Sequence, residues 1–149
     1  MPYCRGVATL PAVVLVTLLG IAAGVGGYTF VYAKGGSYLT DDSAACANCH
    51  AMRAQYDGWA RGPHHGFATC NDCHTPTQPA AKYALKALNG WHHSKAFTTG
   101  AYPDVIRLRD ASREVVEGQC RHCHADLVSA TDDPQVSCIR CHDSVGHLR

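Results

Sequence analysis

The pentad Cys-x-x-Cys-His occurs four times, as Cys46-Ala-Asn-Cys49-His50, Cys70-Asn-Asp-Cys73-His74, Cys120-Arg-His-Cys123-His124 and Cys138-Ile-Arg-Cys141-His142. Two cysteines at this spacing take up the vinyl groups of a haem as thioethers, and the next histidine is then placed to ligate the iron. Four copies in 149 residues exceed what the chain's cysteine and histidine content would produce by chance. The chemistry they imply is one-electron transfer through four covalently bound haem c groups. Zinc is the competing reading, because Cys46/Cys49 and Cys70/Cys73 are spaced almost as in a zinc ribbon. A ribbon, however, needs no histidine directly after each second cysteine. Haem uses eight of the nine cysteines, so no disulfide framework remains. Cys4, just before an apolar run, is left over.

Four haems need up to eight axial ligands. The motif histidines His50, His74, His124 and His142 are candidates, and His64, His65, His92, His93, His122 and His147 lie outside the motifs. Met1 and Met52 are the only methionines. Met52 follows His50 by two residues, so the two cannot easily occupy opposite faces of one iron. They are alternatives for haem 1, and a thioether ligand would raise its potential. Packing of Met52 against the haem competes with ligation. By the same geometry His64 and His65 cannot both serve, nor can His92 and His93, and the residues alone do not choose between them.

The elements that must position these residues are few. At this length there is room for one small domain, and residues 34–149 carry few long apolar runs. Haem macrocycles packed together would have to replace an aliphatic core. The expected fold is therefore mostly α with extensive loops: short helices, many turns and little or no sheet. Pro79 to Leu88 reads as a helix, with proline at its start and Asn89-Gly90 as its stop. Ala111 to Val116 reads as a second, running into Gly118 and the third motif. The pairing of motifs hints at duplication of a two-haem unit. Net charge is +1 with histidine neutral, and without a basic run no nucleic-acid partner is expected.

Val7 to Ala33 contains no charged side chain, long enough to cross a bilayer of about 30 Å. It exceeds the apolar core of a signal peptide, and its end is aromatic and bulky rather than small. Tyr28, Phe30 and Tyr32 suit the interfacial belt of a membrane helix. The expected organisation is a tail and uncleaved transmembrane anchor over 1–33 and a tetrahaem cytochrome c domain over 34–149. Lys34-Gly35-Gly36-Ser37 forms a short joint that keeps the first haem near the membrane surface. Bacterial haem c attachment occurs outside the cytoplasmic membrane, so the haem domain is expected in the periplasm of a single-pass protein. Gly20-x-x-x-Gly24, with Gly26 and Gly27, offers a smooth face to another helix, as in a homo-oligomer.

Several segments resemble the NapC/NirT family of membrane-anchored quinol dehydrogenases. They are Cys46 to Met52, Trp59, His64, and Cys70-Asn-Asp-Cys73-His74-Thr75-Pro76. Lys82-Tyr83, Lys86-Ala87, Asn89-Gly90, His93-Ser94, Ala96-Phe97-Thr98 and Tyr102-Pro103 continue the match, as does Cys138 to His147. The short chain is most similar to the family's four-haem small subunits of cytochrome c nitrite reductase. The resemblance implies Met52 rather than His50 on haem 1, His74 and His147 on haem 2, and His124 with His64 on haem 3. It implies His142 on haem 4, completed by a lysine from the catalytic subunit; His122 or His93 of this chain is the alternative. His147 would also tie the end of the chain back to haem 2.

Oxidising a quinol releases two electrons and two protons, and the protons need acceptors. Lys82, Lys86 and Asn89 share one face of the expected middle helix. The resemblance matches Lys82 to a quinol site and departs at Asn89, where relatives carry an aspartate. A solvated helix face is the plain alternative for these side chains. The expected function is oxidation of menaquinol and delivery of electrons to a periplasmic cytochrome c nitrite reductase. Alternatives are another periplasmic acceptor, such as a nitrate reductase or soluble cytochromes, a small enzyme with catalysis at haem 1, or a membrane cytochrome without a quinone site.

Overall fold

The computed structural model describes residues 6–129, 133 and 136–147. Met1, Cys4 and Arg5 lie outside the described residues. The chain divides into two compact units, Met1–Gly36 and Ser37–Arg149.

The first unit is built on one helix, α1 (Gly6–Tyr32). Its segment Thr9–Tyr32 has a mean hydropathy of 2.1, and its large side chains from Leu10 to Tyr32 are exposed. A helix apolar on every side is a membrane segment or a buried core element; this one is not buried. Tyr28 and Tyr32 stack one turn apart, with ring centres separated by 6.0 Å. The chain leaves the helix through Lys34, whose φ of 52° is left-handed. Gly35 follows because a Cβ there would collide with the Phe30 ring.

The regular structure of the second unit is helical, with no strand among the described residues. Its α-helices are α2 (Ser43–Cys46), α3 (Arg53–Ala60), α4 (Cys70–His74), α5 (Pro79–Thr99), α6 (Asp110–Cys123), α7 (Ala125–Val128) and α8 (Cys138–Cys141). A 3-10 turn, His50–Met52, completes the set, and another, Gly35–Leu39, runs across the boundary between the two units in the sequence. Among the described residues no apolar side chain is buried; the buried polar ones are Ser43, Thr75, Lys86 and Ser112. This is the arrangement expected of a domain whose core is built by haem.

Two expectations about helix length require correction. The middle helix does not stop at Asn89-Gly90 but runs on to Thr99. A mid-helix glycine costs only about 1 kcal/mol, and contacts on both sides of it outweigh that. Asn89 Oδ1 accepts from Arg109 Nη2 at 2.9 Å, and Tyr38 bonds His93 beyond it. The stop is Gly100, whose φ of 65° closes the helix in the left-handed conformation that favours glycine. The second expected helix, Ala111 to Val116, lies inside the longer α6, which passes through Gly118 into the third motif.

Candidate haem centres

Three motifs sit on helical turns. Motif two is α4 itself, motif three occupies the last turn of α6 with His124 as its C-cap, and motif four is α8 with His142 as C-cap. Motif one differs. Cys46 ends α2, Cys49 is extended at φ −88° and ψ 121°, and His50 and Met52 lie on a separate 3-10 turn. The helices bearing the motifs touch in chain order: α2 packs on α4, α4 on α6, and α6 on α8.

Local chemistry explains where these short helices begin. Asp42 accepts from the Ala44 N–H at 2.9 Å and caps α2. Thr69 donates both its N–H and its hydroxyl to Asp72, at 2.7 and 2.8 Å, and caps α4. Glu117 on α6 caps α8 across the fold, accepting from the Ser137 hydroxyl and from the N–H groups of Cys138 and Ile139. Motif two is also tied to the segment ahead of motif one, since the Cys70 N–H donates to the buried Ser43 hydroxyl at 3.1 Å. The Cys46 and Cys70 side chains lie beside each other, which brings the first attachment points of motifs one and two together.

The histidines form two pairs. The His74 and His147 rings have centres 6.0 Å apart, inclined at 34°. The His64 and His124 rings are 6.2 Å apart and perpendicular. In each pair one ring is fixed from behind: His147 Nδ1 lies 2.8 Å from the Gln55 carbonyl and His64 Nδ1 3.3 Å from the Val145 carbonyl. A carbonyl can only accept, so Nδ1 carries the proton and Nε2 keeps its lone pair, the usual tautomer of a supported metal ligand. Burial, with a smaller push from His147, lowers His74 to about 4, so its imidazole is neutral at physiological pH. His65 instead lies edge-on against Trp59 at 4.7 Å. Trp59 is itself held by its Nε1 bond to the Ala68 carbonyl at 2.9 Å.

His50 and His142 are exposed, and among the described residues neither forms such a ring pair. Met52 is half-buried. His93 does not approach as part of a ring pair with His142; its Nδ1 is 2.8 Å from the Tyr38 hydroxyl. Burial, then Arg109 and His92, lower His93, and burial raises Tyr38. His92 and His122 are exposed.

Lys82 and Lys86 converge on Asp41, a residue that spacing did not single out. Lys82 Nζ is 2.7 Å from its Oδ2 and Lys86 Nζ 3.2 Å from its Oδ1. Lys86 also donates to the Thr40 carbonyl at 2.7 Å, and Asn71 of motif two donates to Asp41 at 2.7 Å. The Lys86 side chain is only 8% exposed, so this is not a solvated face. The Lys82 hydrogen bond is the largest influence holding the Asp41 carboxyl down at about 2. Asn89 points elsewhere, to Arg109. The only advance signal for Asp41 is the Asp-Asp-Ser run, which reads as a helix start.

Two imidazoles on opposite sides of one metal, each nitrogen about 2 Å from it, place their ring centres about 6 Å apart. Both pairs meet that spacing, and each includes the histidine of a haem motif, so the donor set fits haem c. Zinc requires a cluster of three or more ligating side chains; none occurs among the described residues.

Known proteins share this pattern. A model of the NapC/NirT cytochrome c family, N-terminal region, matches residues 8–149. The cytochrome c-type protein NrfH of Wolinella succinogenes is 37% identical over 145 residues, covering 87% of this chain and 82% of its own. The cytochrome c nitrite reductase subunit NrfH of Nitratidesulfovibrio vulgaris is 32% identical over 121 residues, covering 76% and 72%. A chain in the crystal structure of the cytochrome c nitrite reductase NrfHA complex bound to the HQNO inhibitor superposes with a TM-score of 0.65. It is 30% identical, with 90% of this chain and 91% of that chain covered.

Proposed function

The chain belongs to the NapC/NirT cytochrome c family, and from that premise we propose that it oxidises menaquinol and passes the electrons to a cytochrome c nitrite reductase catalytic subunit. It is a membrane-anchored cytochrome with four covalently bound haem c groups. The relatives named for nitrite reductase, matched over most of their length, support the acceptor. The proposed organisation is an anchor within 1–33 and a periplasmic haem domain over 34–149.

The proposed ligand set is Met52 on haem 1, with His50 as its alternative, His74 and His147 on haem 2, and His124 and His64 on haem 3. The observation that carries the set is the pairing of two motif histidines with rings from distant segments. Haem 4 has His142 and takes its second ligand, a lysine, from the catalytic subunit. When bound, the haems supply stepwise one-electron transfer. The helix contacts running from α2 to α8 support passage in motif order.

At the donor end, menaquinol gives up two electrons and two protons. Lys82 stays an ammonium, since its hydrogen bond to Asp41 is the main influence raising it. It can therefore donate to a quinol oxygen and stabilise negative charge as the O–H proton leaves. Asp41 orients Lys82, with its side chain 53% exposed, and protons depart through the water that reaches it. Asn89, bonded to Arg109, holds α5 rather than accepting a proton.

The test uses the full-length chain in liposomes with a menaquinol analogue. Quinol should reduce the haems, and Lys82→Ala should slow this about tenfold or more. Adding the nitrite reductase catalytic subunit should convert one haem from high to low spin. Quinol reduction without any spectral change on adding the partner would point to another periplasmic acceptor.

A further inference from the structure

Glu117 and Arg121 lie one turn apart on α6 and are not used in the electron path described above. Both reach the segment that leads into motif four. Glu117 Oε1 accepts from the Ser137 hydroxyl and, at 3.2 Å, from the Ile139 N–H; its Oε2 accepts from the Cys138 N–H at 2.9 Å. Arg121 Nη2 donates to the Val136 carbonyl at 2.6 Å and to the Asp133 carbonyl at 3.3 Å. The acid takes the free N–H groups where α8 begins, and the base takes carbonyls of the chain just before it. The approach to motif four is thus gripped at acceptors, the Asp133 and Val136 carbonyls, and at donors, from Ser137 to Ile139.

We propose that this pair is a clamp that positions the haem of motif four against α6 and that the Glu117 charge lowers that haem's midpoint potential. The proposal rests on haem attachment at motif four alone and does not depend on the identity of the donor or acceptor. Helix α8 has four residues, too short to be stable by itself, so its position is set by what holds its ends. Cys138 is both a clamped residue and a haem-attachment cysteine. Fixing its backbone to α6 fixes the fourth attachment point relative to the third, which is three residues beyond Glu117 on the same helix.

The charge has a second effect. Burial pushes the Glu117 carboxyl up, but the hydrogen bonds from Ser137, Cys138 and Ile139 outweigh it and the net direction is down. The group is an anion at physiological pH. A fixed negative charge beside an iron centre favours the ferric over the ferrous state, and net charge and hydrogen bonding are established levers on iron potentials. Arg121 meets the preceding carbonyls, and its charge also reaches Cys138, so it opposes this effect in part while Glu117 alone bonds the start of α8 directly.

The experiment is a redox titration of the full-length haem-loaded chain in detergent, comparing Glu117→Gln with Glu117→Asp. Removing the charge while keeping an acceptor oxygen should raise one of the four midpoint potentials and leave three in place. Glu117→Asp keeps the charge and should stay close to the wild type. The proposal is overturned if Glu117→Gln leaves all four potentials unmoved, or if both variants displace one potential equally. Mass spectrometry of haem peptides covers the case of faulty assembly. Haem loss confined to the Cys138–Cys141 peptide supports the clamp, and loss spread evenly over the four motifs overturns it.

Discussion

Motifs two and three present their histidines to partner rings from within the chain, His74 to His147 and His124 to His64. Motifs one and four do not: His50 and His142 are exposed and unpaired among the described residues. The contrast extends to the backbone. Motif two is one continuous capped turn, whereas motif one breaks at an extended Cys49. A haem with two strong internal ligands can only relay electrons. An iron with one weak or missing ligand remains responsive to what lies beside it. On the proposed ligand set the middle of the molecule is closed, and the two ends are where exchange with other molecules is to be sought.

The sharpest way to break that contrast is His147→Ala. It removes the second ring from His74 and leaves the Gln55 carbonyl without its donor, a loss of about 1–3 kcal/mol. One haem should change from low to high spin in the electron paramagnetic resonance spectrum, with a lower thermal midpoint. An unaltered spin state would mean the middle is not closed by this residue.

A smaller effect is expected at the donor end. Met52→Ala should move the spectrum and potential of one haem and leave three nearly unaltered. Four unmoved haems in that titration would return Met52 to a packing role.

The smallest effect concerns Asp41, which holds α5 near motif one by charge rather than by an iron ligand. Its carboxyl, held at about 2, is depressed below the ordinary carboxylate value near 4. A depressed group stabilises the fold fully above its unfolded pKa, and that contribution is lost as pH falls toward the folded value. Acid should therefore weaken the domain between about pH 4 and pH 2, and Asp41→Asn should flatten this part of the stability profile. The change will be modest because the Asp41 side chain is 53% exposed and solvent screens it. An identical acid profile in the variant would place the acid sensitivity elsewhere.

The haem motifs were legible because covalent attachment demands a fixed local spacing. The helical class was legible for a related reason: so few apolar runs cannot build a sheet sandwich or an aliphatic core. Local signals failed where distant segments meet. Asn89-Gly90 reads as a stop, yet Arg109 and Tyr38 hold the helix through it. The adjacent histidines His64 and His65 are alike in spacing, and only the fold turns one toward His124 and the other onto Trp59. Glu117 could not be singled out, because its partners begin 20 residues further on and no spacing rule joins an acid in one helix to the start of another. Lys82 and Lys86 were placed on one face correctly, but their shared acid lies more than 40 residues earlier.

The contacts of Val145 and His147 also have a consequence in time. A chain is made from its N-terminus, so motif two and His64 exist well before the residues that face or support them. The contacts that close both central sites span 60 to 92 positions, from His64 to His124 at the shortest and from Gln55 to His147 at the longest. Such separations are costly to close and are met late in folding. Thioether attachment can run motif by motif along the nascent chain. The meeting of His74 and His147 waits until all four attachment motifs have been made, so it comes as a late checkpoint on their assembly.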